Sequence, residues 1–136
     1  MTIIDLLVLH EGEKLKMYPD KKGIPTIGVG HDLASKPISV TASRQILTDD
    51  LYDCRVAASK YPWYDTLDEV RQAVVLDMLF NVGEDGFRKF VKFNAAMIAQ
   101  DYVQASAEIL DSEIAQKRAE DLAAMMQTGT WISERG

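Results

Sequence analysis

Ile24-Pro25-Thr26-Ile27-Gly28-Val29-Gly30-His31 is the stretch on which the fold turns. Its alternation by two marks extended chain, with Ile27 and Val29 on one face and Thr26, Gly28 and Gly30 on the other. Pro25 has no N–H to give a ladder, so an edge position is expected for it. One face is then nearly bare backbone with a single hydroxyl, a wall against which a flat polymer can lie. Just upstream, Leu15 and Met17 alternate with lysines, and Pro19-Asp20-Lys21-Lys22-Gly23 reads as a turn. A small antiparallel β hairpin region is expected within residues 14–34.

Working outward, the N-terminal side is helical. Thr2 is a natural N-cap, with Asp5 three residues on in the capping-box position. Ile3, Ile4, Leu7 and Val8 form an apolar stripe, and Gly12 is the natural stop. Glu11 is therefore expected at a helix C-terminus. The C-terminal side is helical throughout. Ser39 caps a long helix whose stripe is Ile46, Leu47, Leu51, Cys54 and Ala58, ending before Pro62. Residues 66–80, capped by Asp65 or Thr66, are apolar nearly all round in their second half and read as the central buried helix. Asn81 to Gly86 should end it, and further helices are expected at 88–99, 101–110 and about 114–127. The fold class expected is α+β, mostly α: two lobes within one domain, 1–136. The N-terminal lobe covers about 12–60, and a C-terminal helical bundle covers about 61–136 together with helix 1–11. A cleft between a β wall and a helical lobe is where a ligand is expected.

Composition narrows the chemistry. The 136 residues carry 15 basic and 21 acidic side chains, a net charge of −6 that disfavours nucleic-acid binding. Residues 1–36 are neutral, with five Lys against five acids, so attraction to an acidic polymer must be local. A single cysteine, Cys54, excludes an internal disulfide, and two distant histidines make a metal site unexpected. No cofactor is expected. The first residues lack the basic lead-in and cleavage pattern of a secretory leader, and no run has the length of a membrane span. Synthesis in a reducing cytoplasm, without membrane insertion, is the expectation.

Glu11, Asp20 and Thr26 are the residue types that breaking an acetal needs. One carboxyl must donate a proton to the leaving oxygen, and a second, ionised carboxylate must act on the opposite face. A helix C-terminus and a partly buried cleft both favour the protonated form at Glu11. Asp20, on an exposed lysine-rich turn, is suited to directing a water that Thr26 can hold. Taken singly, each has a plainer explanation: a helix-end acid, a turn former, a β-branched strand residue.

The segment from His10-Glu11-Gly12 to Thr26-Ile27-Gly28-Val29-Gly30-His31 resembles the active-site signature of the T-even-type phage lysozymes, glycoside hydrolase family 24. The likeness continues through Tyr64 to Arg71, Met78 to Glu84, and Arg118 to Trp131, in order along nearly the whole chain. The resemblance implies hydrolysis of the β-1,4 bond between N-acetylmuramic acid and N-acetylglucosamine in peptidoglycan. It implies Glu11 as general acid, Asp20 as partner carboxylate and Thr26 beside the attacking water. Phe80 matches a cleft aromatic, a sugar contact if it is not core filler, and Arg118 matches the arginine that pairs with the catalytic acid. His31 is expected to hydrogen-bond between lobes. A monomer is the default expectation, and the lack of an export signal leads to the expectation of a holin-type phage partner that releases the enzyme to the periplasm.

The chain departs from that pattern in shortenings between Ser35 and Ser39 and before Arg118, and at Asp32, Phe93 and Glu108, which are not of the family's sugar-contacting types. His10 and Asp77 also replace the family's usual acid and amide. A carboxylate inside Val74-Val75-Leu76-Asp77-Met78-Leu79 needs a partner, and His10 is expected to supply it unless backbone donors or water do. Two competing readings are a lytic transglycosylase, which needs neither Asp20 nor Thr26, and an inactive peptidoglycan-binding or structural protein on the same scaffold.

Overall fold

The computed structural model describes residues 1–132 and shows an α+β fold, mostly α. The chain divides into two compact units, Met1–Gln45 and a second beginning at Ile46.

The first unit opens with α1, Ile3–Glu11, closed at its start by the expected capping box. Thr2 accepts from the Asp5 N–H, and the Asp5 carboxylate accepts from the Thr2 N–H at 2.7 Å. Gly12 ends the helix with φ 75°, and its N–H returns to Val8. Three antiparallel strands follow in the order β1 (Lys14–Pro19), β2 (Pro25–Gly28) and β3 (His31–Asp32). Tyr18 lies opposite Thr26, and Thr26 opposite Asp32. Two expectations need correcting here. Pro25 is on the middle strand, not an edge; it is tolerated as the first residue of β2, opposite Pro19, where no ladder N–H is required. The alternation also stops short of His31, because Gly28 and Gly30 both take positive φ and the chain reverses between them. Thr26, expected on the open face, is the buried residue of the sheet.

Helix α2, Val40–Ala58, starts under the Ser39 hydroxyl, which accepts from Ala42, and the division between units falls inside it. Its stripe is exposed at Ile46 and buried at Ala58. A single 3-10 turn, Tyr64–Thr66, delays the central helix, so α3 runs Glu69–Arg88 and is capped by Asp68 rather than Asp65 or Thr66. The Thr66 hydroxyl is already committed to the Trp63 carbonyl, whereas Asp68 is extended and accepts from the Arg71 N–H at 2.9 Å. The expected stop appears as a break: Gly83 (φ 76°, ψ 171°) leaves helical geometry, and the helix resumes to Arg88. Helices α4 (Val91–Ile98), α5 (Tyr102–Leu110) and α6 (Gln116–Thr128) complete the bundle.

The core of this second unit gathers Val74, Val75, Met78 and Leu79 of α3 with Met97, Ile109 and Met126. Phe87 is its aromatic centre, edge-on to Tyr61 at 5.3 Å and to Phe93 at 5.7 Å between centroids. Phe93 is thus a core residue. Arg71 ties α3 to α6. Its guanidinium donates to the carbonyls of Met126 and Gln127, holds Asp68, and stacks on the Tyr102 ring. A cation at the negative end of α6 is favourable, and Gly129, left-handed beyond that end, leaves room for it.

Candidate active site

Glu11 and Asp20 line one open cavity of about 630 Å³ in the first unit. Its other walls are His10, Lys14, Tyr18, Pro19, Lys21, Lys22 and Ile24. The geometry follows from local structure. Helix α1 must end at Gly12, which leaves Glu11 as its last residue, exposed and turned toward the β2–β3 connection. There the Glu11 carboxyl lies against Gly30, close enough that a Cβ on Gly30 would stand 2.9 Å from Oε2.

Asp20 is held by its own turn. Its Oδ1 accepts from the N–H of Lys22 at 2.8 Å and of Ile24 at 2.9 Å, the side-chain closure that makes Asp a turn former. The bonds that build the turn thus fix Asp20 at the wall of the cavity. Lysine amines crowd the same walls, and the Lys14 Nζ sits 4.2 Å from the centre of the Tyr18 ring. Three of the five lysines that make residues 1–36 neutral thus line the cavity.

Thr26 is not a wall of that cavity; it is buried, and its hydroxyl donates to the Ile24 carbonyl at 2.8 Å. Toward a water the hydroxyl is left as an acceptor. The His31 Nε2 lies 3.0 Å from the Lys36 carbonyl, a bond within the first unit that puts the ring proton on that nitrogen. Asp32 ties down the following turn, accepting from Ala34 and Ser35, and the Ser35 hydroxyl and N–H hold its carboxyl below the usual range.

Phe80 and Arg118 lie in the second unit, where they line a smaller cavity of about 320 Å³ with Leu76 and Asp77. Phe80 is 47% exposed, so it is not core filler. The partner Asp77 finds is Arg118: Nε donates to Oδ1 at 2.7 Å, with both side chains half-exposed. Asp77 thus has a charged partner within the second unit, where backbone donors, water or His10 were the expected ones. Glu108 is engaged by Gln104 on its own helix.

Among the described residues no group of three or more His, Cys, Asp or Glu side chains is placed to hold a metal ion, and no helix is long and apolar enough to cross a membrane.

Comparison with known proteins places these features in a family. Residues 8–126 match the family described as phage lysozyme. The chain is 24% identical to a probable T4-type lysozyme of Dictyostelium discoideum, over 95% of both proteins. It is 34% identical to the endolysin of Salmonella phage P22 over 62% of each chain. It is also 27% identical, over 77% of its own length, to the pre-baseplate central spike protein of Enterobacteria phage T4, of which the match spans only 23%. With the family's model covering both units, from the end of α1 to the last turns of α6, this chain belongs to the phage lysozyme family.

Proposed function

We propose that the protein is a lysozyme that hydrolyses the β-1,4 bond between N-acetylmuramic acid and N-acetylglucosamine in peptidoglycan. The observation that carries this reading is that Glu11 and Asp20 line one cavity on which lysines converge. Glu11 is the general acid, giving its proton to the leaving glycosidic oxygen as the anomeric carbon takes on positive charge. Asp20 stabilises that charge and accepts a proton from the attacking water. The Thr26 hydroxyl, its own proton committed to Ile24, accepts a hydrogen bond from the other O–H of the water, which stays on oxygen, so that the lone pair is turned to the anomeric carbon. Lys14, Lys21 and Lys22 draw the anionic wall polymer to the cavity. Phe80 is a sugar contact in the second unit, and Arg118 with His31 supports the site. Monomeric action and delivery from the host cytoplasm to the periplasmic wall by a holin-type phage partner belong to the same reading.

The spike protein among the relatives gives a second reading its footing, an inactive peptidoglycan-binding or structural phage protein on a lysozyme scaffold. Turbidity loss of outer-membrane-permeabilised Gram-negative cells separates the two. Wild type should clear them, and Glu11→Gln should lose orders of magnitude in rate. Products with reducing ends identify a hydrolase; anhydro ends identify a transglycosylase. Wall binding without clearing by folded wild type would overturn the enzymatic reading.

A further inference from the structure

Gly28 and Gly30 flank the β2–β3 reversal with nearly the same backbone, φ +66° and +63°. Their surroundings differ. A Cβ built on Gly28 meets nothing within 4 Å, whereas one built on Gly30 stands 2.9 Å from Oε2, 3.1 Å from Cδ and 3.3 Å from Cγ of Glu11. The whole end of the Glu11 side chain therefore rests in the space that a side chain at residue 30 would fill. Glu11 is exposed, and among the described residues of the first unit no ion pair or side-chain hydrogen bond holds its carboxyl.

We propose that Gly30 is a positioning residue for Glu11, the glycine that provides the bed in which the acid carboxyl lies facing the Asp20 cavity. The proposal rests on the reading of Glu11 as general acid. A carboxyl at the end of a flexible side chain can swing away from a new Cβ at little cost to folding. The contact is therefore nearly silent in stability and falls on the reaction, where a displacement of about 1 Å can cost on the order of 10²-fold in rate. Backbone strain is the competing explanation for any defect at residue 30, because an L side chain is strained at positive φ. Gly28 carries that same strain without the contact and isolates it.

The experiment compares Gly30→Ala with Gly28→Ala, and Gly30→Asn with Gly28→Asn, since Asn tolerates the left-handed region better and keeps the comparison open where an Ala variant does not fold. Two quantities are read: kcat and KM on soluble wall glycan, and the position of the Glu11 carboxyl carbon resonance by NMR. The Gly30 variants should lose about 10²-fold in kcat with KM nearly unchanged, and their Glu11 resonance should move. The Gly28 variants should match them in melting temperature while leaving the Glu11 resonance in place. An equal shift of the Glu11 resonance at the two glycines, or an unmoved Glu11 resonance in the Gly30 variants, would overturn the proposal. So would a moved resonance with undiminished kcat. Should wild type cleave no wall, the proposed function fails by itself, while the resonance still decides whether Gly30 seats Glu11.

Discussion

Lys21 and Lys22 show how much a single residue's surroundings decide. On a turn they are ordinary solvated cations, yet the Asp20 carboxylate binds the Lys22 N–H, and both side chains line the cavity that holds Glu11. Exposed charges act through a field that salt screens over about 10 Å at 0.1 M ionic strength. Replacing both lysines by Glu should therefore raise KM for the anionic wall at low salt and flatten its salt dependence, leaving kcat at saturation little changed. Initial rates across a series of ionic strengths check this. A double variant with the wild-type salt profile would remove the lysines from substrate capture. The half-exposed Asp77–Arg118 pair is a contrasting case: ion pairs of that exposure contribute roughly 0–1 kcal/mol, so its interest is in shaping the Phe80 cavity.

Among the elements, α3 carries the clearest pH signature. The Asp68 carboxyl at its N-cap is subject to opposing influences. Partial burial pushes its pKa up, but the Arg71 N–H and guanidinium outweigh this and hold it below the usual carboxylate range. A folded-state pKa lying below the unfolded one adds stability above the unfolded value, about 3.9, and loses it as pH falls through the folded value. Asp68→Asn keeps a capping oxygen but removes the charge. The urea midpoint of the variant should thus fall below wild type at neutral pH, and the two should converge as pH drops through the acid range. A constant gap at every pH would assign the effect to the cap geometry instead. The same helix shows why Gly83 was half-readable as a stop: its positive φ breaks the turn, but Phe87, buried on the far side, draws the chain back into helix.

At the scale of the whole molecule, the second unit is organised around aromatic rings from separated parts of the chain. Phe87 is fully buried and touches Tyr61, Phe90 and Phe93 in edge-on pairs, with Trp63 beside it. Deleting a ring from such a centre removes both transfer energy and packing, and Phe87→Ala should cost about 3–5 kcal/mol. Chemical denaturation with heat-capacity analysis would measure it; a loss under 1 kcal/mol would mean that the cluster collapses into the space. Cys54 packs at the edge of this core, where burial, with Asp53 and Asp50 nearby, pushes its thiol pKa up and keeps it in the less reactive thiol form.

What the sequence determined by itself is local. The Thr2–Asp5 capping box, the Gly12 stop that leaves Glu11 at a helix end, the Asp20 turn and the Ser39 cap depend on residues within a few positions of each other, and backbone sterics with short-range hydrogen bonds suffice to specify them. The order of helix, hairpin and bundle followed from periodicity, which is also local. Tertiary structure decided the rest. Pro25 lies on the middle strand because β3 adds on its far side; Thr26 is buried; Asp77 meets Arg118 across 41 residues. Gly30 lies against Glu11 only because the sheet carries the β2–β3 reversal back to the end of α1. Each of these depends on which surface arrives opposite a residue, and that is set by packing between distant segments, to which neither propensity nor periodicity refers.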